Sequence, residues 1–294
     1  MRPIAADHVP PEFPTSRLVV PEPVAFRATD NVEAHGQLFR PPDEAGTTAR
    51  GGARHPAIVY VHGGGPRQML LGWHNRWEYA NDYGVNQYLA SRGFVVLAVN
   101  YRLSVGYGQA FQFPDHTGAR GAAEYLDVLA AGRYLQKRTD VDARRIGVWG
   151  ASYGGFLTAL ALGRNSEVFA AGVDVHGVHD RLPAVNPTLL AHAMVGDGLT
   201  EADLRQAMKV EYESSPISSV ATWKSPVLLI HGDDDRTVDF RQTIDLGRRL
   251  RDKGVRVEEL VLTDDVHDPL LWRNWVRSMS AAGDFFERTL NASR

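Results

Sequence analysis

Apolar and polar positions follow two alternating patterns along this chain. Short continuous apolar runs are typical of strands buried on both faces of a sheet, and they occur at residues 57–61, 94–99, 146–149, 169–175 and 227–230. Between them lie stretches with helical spacing of apolar residues, or apolar throughout, which predict helices at residues 78–91, 118–137, 156–162 and 240–250. A strand at 255–262 and a helix at 270–290 complete the series. This alternation predicts an α/β fold with a mostly parallel, doubly wound sheet.

The N-terminal region departs from the alternation. Residues 1–16 carry four prolines and few large apolar groups, so we interpret them as an extended arm and residues 17–294 as a single domain. Strand-like stretches at 18–28 and 32–39 are joined by a turn-forming triplet and predict an antiparallel hairpin. The Pro- and Gly-rich segment 41–53 predicts a surface loop.

A second departure lies in the later half of the chain. Between about residues 178 and 223 the alternation stops, and only short helices are predicted, at 189–194 and 201–212. We expect this segment to be an insertion outside the main sheet that lies over the site.

Composition narrows the class of protein. The 294 residues, 44% hydrophobic and 23% charged with a net charge of -3, suit one large globular domain. Charges are spread without blocks, so we expect neither a nucleic-acid nor a membrane partner. The absence of cysteine excludes disulfides and thiolate catalysis. The first residues lack a signal-peptide core and no run of about 18 apolar residues occurs. The default is a cytoplasmic protein, with secretion and homo-oligomer formation left open.

The segment Arg145–Gly155 has the form strand, tight turn, helix, with Ser152 at the apex. A sharp strand-to-helix turn forces the serine into a strained conformation, and side chains at Gly150 or Gly154 would collide with neighbouring backbone. The hydroxyl is then presented at the C-terminal edge of the sheet, facing a helix N-terminus. The alternative is a glycine-rich turn that contains an incidental serine.

An acyl-transfer serine needs a base and an acid, which in the α/β-hydrolase arrangement come later in the chain in the order Ser, Asp, His. Polar loops at the ends of two later strands supply both, at 231–235 and at 263–268. Such strand ends are where open α/β sheets build their sites. The spacing alone does not separate Asp233, Asp234 and Asp235.

Taken together, these motifs resemble the catalytic domain of the prolyl oligopeptidase family of serine peptidases, especially its acylaminoacyl-peptidase and dipeptidyl-peptidase-like branches. The matching pieces are HGG at 62–64, NYR at 100–102, GYG at 106–108, GASYGG at 150–155, HGDDDRTV at 231–238, and His267. The resemblance implies an α/β-hydrolase fold for residues 17–294 and a triad of Ser152, Asp235 and His267. Glycine usually follows the family's histidine, whereas Asp268 does so here.

Two features differ from the family pattern. Those peptidases usually carry a β-propeller, but only about 56 residues precede the first core strand here, so the chain resembles the hydrolase domain alone. The sequence HGGGP replaces the usual HGGP and approaches the HGGG of hormone-sensitive-lipase-like esterases. The oxyanion donors are therefore expected to be the N–H of Tyr153 and that of Gly64 or Gly65.

These features predict a serine hydrolase that acts on peptide or ester bonds. A peptidase is the first interpretation, an open-site carboxylesterase for short-chain or bulky esters is the alternative, and a non-catalytic scaffold is the weakest. No cofactor is expected and, since no H-E-x-x-H motif occurs, no metal. Candidate substrate-binding residues are Arg102, Val238 and Trp73; Arg102 has the alternative of a structural ion pair and Trp73 that of packing. Structural or loop roles are expected for His62, His176, His179 and His231.

Overall fold

The computed structural model describes residues 9–42, 54–181, 196 and 200–291. Its strands are β1 (Glu22–Arg27), β2 (Glu33–Phe39), β3 (His55–Val61), β4 (Val95–Asn100), β5 (Val141–Ala151), β6 (Ala171–Val175), β7 (Val227–Gly232) and β8 (Val257–Leu262). Its α-helices are α1 (Trp77–Ser91), α2 (Gln109–Gln112), α3 (Tyr125–Gln136), α4 (Tyr153–Arg164), α5 (Glu201–Ser214), α6 (Arg241–Asp252) and α7 (Trp272–Leu290). Short 3-10 turns lie at Thr15–Arg17, Gly118–Arg120 and Pro216–Ser219.

All eight strands form one sheet in the order β1-β2-β4-β3-β5-β6-β7-β8. The pairs β1–β2 and β2–β4 are antiparallel, and every pair from β4 to β8 is parallel. The predicted fold class is therefore confirmed. The expected hairpin is also present, with Glu22 opposite Leu38 and Asn31 at a φ of 68° in its turn.

Both faces of the sheet are covered by helices, which explains the continuous apolar runs. Along β3, Val59 belongs to the core packed against α3, α4 and α6, whereas Ile58 and Tyr60 belong to the core packed against α1 and α7. Side chains alternate between the two faces of a strand, so a strand buried on both sides is apolar at every position. Replacing a fully buried core phenylalanine such as Phe286 by alanine costs about 3–5 kcal/mol.

One helix begins later than the sequence pattern predicts. The expected helix at 118–137 starts at Tyr125, after a 3-10 turn and three residues with positive φ. Gly118, Gly121 and Ala122 have φ values of 57°, 138° and 52°, which a right-handed helix does not allow. The apolar stripe of α3 indicated its position in the core but not this irregular entry.

The predicted insertion lies partly outside the described residues. The expected helix at 201–212 is present as α5, and Thr200 and Asp203 form a capping box at its start. The expected helix at 189–194 and most of the predicted loop at 41–53 lie outside the described residues. Ser214, at the end of α5, donates to the carbonyl of Ala119 at 3.3 Å, so this helix packs beside the entry to α3. That the insertion covers the site stays a prediction.

The parallel strands place their C-terminal ends at one edge of the sheet. The residues that follow β3, β5, β6, β7 and β8 therefore converge there. This edge gathers the candidate residues from five separate parts of the sequence.

Candidate active site

Ser152 lies at the turn between β5 and α4 in a strained conformation, with φ 57° and ψ −115°. A Cβ atom at Gly150 or Gly154 would stand 2.4 Å or 2.1 Å from the carbonyl oxygen of Val61. Both glycines are thus required because β3 runs directly beside the turn. The N–H of Ser152 donates to the carbonyl of Val175 at 2.9 Å, and this hydrogen bond helps to stabilise the strained conformation.

His267 lies within hydrogen-bond distance of both other triad candidates. Its Nε2 is 2.9 Å from Ser152 Oγ, and its Nδ1 is 2.7 Å from Asp235 Oδ2. A carboxylate only accepts, so Nδ1 carries the proton and Nε2 is free to accept from the serine hydroxyl. This is the tautomer that a general base needs.

Asp235 is held by four hydrogen-bond donors. Its Oδ1 accepts from the N–H groups of Thr237 at 2.8 Å and Val238 at 2.9 Å, and its Oδ2 accepts from His267 and His231. Burial alone would raise the pKa of this carboxyl, but the bonds from His231, His267 and Val238 outweigh burial and lower it. Asp235 is therefore a fixed anion beneath His267.

The neighbouring aspartates face elsewhere. Asp233 Oδ1 accepts from the N–H of Asp264 at 2.7 Å in an exposed loop, and Asp234 pairs with exposed Arg236 at 3.2 Å. The structure thus brings only the last of the three consecutive aspartates to His267.

His231 supports Asp235 from behind. Its Nε2 lies 3.0 Å from Asp235 Oδ2 and 3.1 Å from the carbonyl of Val238. Both partners accept, so Nε2 donates, and Thr243 contacts Nδ1 at 2.7 Å. The expected structural role of His231 agrees with this geometry.

The glycine loop after β3 forms one wall of the cleft. Gly63 and Gly64 line the cleft beside Ser152, and Gly64 has a φ of 53°. Gly65 instead faces Leu103, whose side chain would lie 3.2 Å from a Cβ atom at that position. The structure therefore places Gly64, and not Gly65, at the cleft.

His62 holds this loop as a neutral imidazole. Burial lowers its pKa to about 4. Its Nδ1 lies 3.0 Å from the carbonyl of Gly63 and donates to it, while its Nε2 lies 2.9 Å from Ser104 Oγ and accepts. Tyr101 stacks on the ring at 4.3 Å, so the base of the loop is rigid.

Tyr153 follows the serine and opens α4. As the first residue of the helix, its N–H has no partner within the helix and faces the same edge as Ser152. Its hydroxyl donates to buried Glu124 at 2.5 Å, and Glu124 also accepts from the N–H of Gly118 at 3.0 Å. These bonds fix the ring of Tyr153, and burial raises the pKa of its hydroxyl.

The cleft above Ser152 has a volume of about 280 Å³. Charged side chains are part of its lining: Arg67, Arg76, Glu78, Asp82 and Asp268. Burial raises the pKa of Asp82 to about 7, and the charges of Glu78 and Asp268 add to the effect. The cleft is therefore lined by charged groups of both signs.

Two of the candidate substrate-binding residues are buried and make contacts within the fold. Arg102 is 4% exposed and its guanidinium contacts the carboxylates of Asp127 at 2.7 Å and Asp30 at 2.5 Å. Val238 is also buried, and its backbone holds Asp235. The contacts of Arg102 agree with the structural ion pair that the sequence left as its alternative. At Val238 the bonded group is the backbone N–H, so a contact of its side chain with substrate stays a prediction.

Trp73 is not brought to the cleft in the described part of the chain. Its indole is 64% exposed, and it is not among the residues that line the cleft. The packing alternative is not supported either, because most of the ring faces solvent.

His176 is the residue that sequence reasoning missed. It was expected to have a loop or structural role, but it is buried at the end of β6, and its ring centroid lies 4.1 Å from that of His267. The available signal was its position directly after a core strand, at the edge where sites form. His179, in contrast, is a buried structural group whose Nε2 lies 2.8 Å from Asp174.

Side-chain atoms of His176, Asp235 and His267 that could bind a metal ion lie within 4.8 Å of one another. Among the described residues, this is the only group of three or more His, Cys, Asp or Glu side chains close enough to share an ion. Two of its members, Asp235 and His267, are already hydrogen-bonded to each other through Oδ2 and Nδ1.

In the described residues, no helix is both long and apolar enough to cross a bilayer.

Comparison with known proteins identifies the family. A sequence model of the prolyl oligopeptidase family matches residues 81–293, more than half of the chain. The chain belongs to the prolyl oligopeptidase family. The match spans the serine turn and the HGDDDRTV segment and confirms the resemblance to this family.

Curated relatives of this family member include two bacterial peptidases. The uncharacterized peptidase YuxL of Bacillus subtilis is 29% identical over 236 residues, covering 80% of this chain and 33% of the relative. Dipeptidyl-peptidase 5 of Porphyromonas gingivalis is 29% identical over 217 residues, covering 73% of this chain and 30% of the relative. The chain spans about a third of the length of these relatives.

Solved structures share the fold of this chain. An acylaminoacyl peptidase of Pyrococcus horikoshii matches with a TM-score of 0.73 and 26% identity, over 93% of this chain and 42% of that chain. A puromycin hydrolase matches with a TM-score of 0.78 and 24% identity, over 99% of this chain and 42% of that chain. The α/β-hydrolase fold is thereby confirmed.

Proposed function

We propose that this chain is the catalytic domain of a serine peptidase that cleaves peptide bonds through an acyl-enzyme. The observation that carries the proposal is the continuous series of hydrogen bonds from Ser152 through His267 to Asp235, with distances of 2.9 Å and 2.7 Å. Nucleophile, base and orienting acid thus stand in the relation that acyl transfer requires.

In the proposed reaction, Ser152 Oγ attacks the substrate carbonyl while His267 Nε2 takes the hydroxyl proton. Asp235 stays ionised and stabilises the imidazolium that forms. His267 then gives its proton to the leaving amine, and the C–N bond breaks. A water molecule, deprotonated by His267, releases the acyl group in the second half of the cycle.

The negative charge on the tetrahedral intermediate needs donors opposite the base. The N–H groups of Tyr153 and Gly64 are our choice, because one opens α4 directly after the serine and the other lines the cleft beside it. Gly65, the alternative from the sequence, is disfavoured by its position against Leu103.

The substrate class is a peptide amide. The relatives are named as peptidases, which supports this choice over the carboxylesterase that the HGGGP sequence also suggests. The esterase alternative stays a prediction of the sequence.

Covalent labelling and matched substrates test the proposal. Wild-type protein is expected to react with a fluorophosphonate, while Ser152→Ala stays unlabelled and loses turnover by a factor on the order of 10⁴ or more. A circular-dichroism spectrum shared with wild type shows that the variant is folded. Labelling or turnover by pure Ser152→Ala would reject the nucleophile.

Substrate class is then decided with aminoacyl p-nitroanilides and p-nitrophenyl esters of the same acyl groups. A peptidase cleaves the anilides with a clear preference for one acyl residue, although activated esters also react because their leaving group needs no proton. Ester cleavage without any anilide cleavage would reject the peptidase in favour of the carboxylesterase.

A further inference from the structure

His176 lines the catalytic cleft without a role in the mechanism above. Its imidazole is 5% exposed, and it borders the cleft together with Ser152 and His267. Within the part of the chain that the structure describes, neither ring nitrogen has a hydrogen-bond partner; the contacts of the ring are with His267 and His231. Because His176 lines the cleft, a ring nitrogen without a protein partner is free to bond a molecule that occupies it.

The order of strands places His176 on one particular side of Ser152. The strand β5 lies between β3 and β6, so Gly64, which follows β3, and His176, which follows β6, flank the serine from opposite sides. If the carbonyl oxygen of a substrate faces Gly64, the opposite side receives the leaving group. This is also the side of His267, from which the leaving group takes its proton.

The imidazole of His176 is neutral. Burial lowers its pKa well below the ordinary value, and the neighbouring His267 and His231 lower it further, while Asp235 opposes them. A neutral imidazole has one nitrogen that donates and one that accepts. It therefore offers an acceptor to a group that a scissile secondary amide has and an ester lacks, the N–H of the leaving nitrogen.

We propose that His176 is a substrate-binding residue that accepts a hydrogen bond from the N–H of the scissile amide. The inference rests on the proposed peptidase function. In the step concerned, the C–N bond breaks and the leaving nitrogen gains the proton that His267 took from Ser152. His176 neither gains nor loses a proton, and it orients the nitrogen so that its lone pair faces His267.

The test compares an aminoacyl anilide with its N-methyl counterpart in wild type, His176→Phe and His176→Gly. Both substrates need a proton from His267, but only the first can donate an N–H to residue 176. Phenylalanine keeps a ring beside His267 without an acceptor. Glycine removes the ring and is compatible with the φ of 41° at this position, so at least one variant is expected to fold.

The quantity to compare is the ratio of kcat/KM for the N–H anilide to that for the N-methyl anilide. Both variants are expected to lower this ratio about tenfold, the effect of one neutral hydrogen bond. Displacement of His267 would slow both substrates alike and leave the ratio unchanged. Asp235→Asn, which perturbs the base but keeps the His176 side chain neutral and in place, serves as the control and is expected to keep the wild-type ratio.

Two outcomes would overturn the inference in distinguishable ways. An unchanged ratio in both variants, while wild type cleaves the N–H anilide, removes the role of His176 but leaves the peptidase intact. Failure of wild type to cleave any anilide, although it is labelled by a fluorophosphonate, removes the peptidase function and the role of His176 together. The fluorophosphonate labelling of each variant shows that its nucleophile is still assembled.

Discussion

The buried carboxyl of Asp82 leads to a prediction about stability. Asp82 is 6% exposed on α1 and accepts a hydrogen bond from the hydroxyl of Tyr60. Burial raises the pKa of this carboxyl from 3.8 to about 7; the bond from Tyr60 opposes the shift, and Glu78 and Asp268 add to it. In the unfolded chain the same carboxyl returns to its ordinary range.

The sign of the effect follows from which state holds the proton. Between pH 4 and pH 7 the folded chain keeps a proton on Asp82 that the unfolded chain has lost, so stability falls as the pH rises through this window. Above the folded pKa of about 7 the loss is complete. With 1.36 kcal/mol for each pKa unit, the contribution of Asp82 is less favourable by about 2–3 kcal/mol at pH 8 than at pH 5.

The substitution Asp82→Asn keeps the shape and the acceptor for Tyr60 but removes the charge. Free energies of unfolding, measured by urea denaturation at pH 5 and pH 8, are expected to favour the variant over wild type by about 2–3 kcal/mol more at the higher pH. The exposed Asp234→Asn, measured at the same two pH values, is the matched control for the exchange of an aspartate for an asparagine. A difference for Asp82→Asn that is the same at both pH values would show that its pKa does not change on folding.

Three further predictions concern the triad, the serine turn and a buried ion pair. Asp235→Asn is expected to lower kcat about 10⁴-fold, while Asp234→Asn changes it less than about threefold. If steady-state kinetics showed the larger loss for Asp234→Asn, the acid of the triad would have to be reassigned from Asp235 to Asp234. Gly154→Ala places a Cβ 2.1 Å from the carbonyl oxygen of Val61, so the rate of fluorophosphonate labelling is expected to fall at least about 100-fold, and a normal rate would contradict the steric reason for this glycine. Arg102→Met leaves a buried carboxylate unpaired and is expected to cost about 3–5 kcal/mol in urea denaturation, whereas unchanged stability with a raised KM would restore its substrate-binding role.

The inner strands could be predicted from the sequence because β3, β4, β6 and β7 are buried at nearly every position. The apolar run at 94–99 is short and rich in valine, which favours a strand over a helix, and the structure has β4 there. The start of α3 could not be predicted in the same way. Because Gly121 and Ala122 have positive φ angles, the helix begins only after them. The spacing of apolar residues carries no information about these backbone angles.

Less of the site than of the fold could be predicted from the sequence. The order of strand ends places Ser152 and His267 at one edge, but three consecutive aspartates fit the spacing equally. The resemblance to the family selected Asp235, and the contacts with His267 agree with that choice. The role of Arg102 depended on partners 25 and 72 positions away. The pairing of His176 with His267 likewise arises because the loops after β6 and β8 approach each other, although β7 lies between these strands in the sheet.

The bond between His267 and Ser152 joins residues 115 positions apart, across β6 and β7 in the sheet. It can form only after β8 has docked on β7 and the intervening loops have settled. Helical signal and apolar burial can both return earlier in refolding, since α4 and β5 are neighbours in sequence. The recovery of fluorophosphonate reactivity is therefore expected to lag behind the recovery of secondary structure during refolding. The reactivity of Ser152 would then be a kinetic probe of the slowest long-range contacts of the fold.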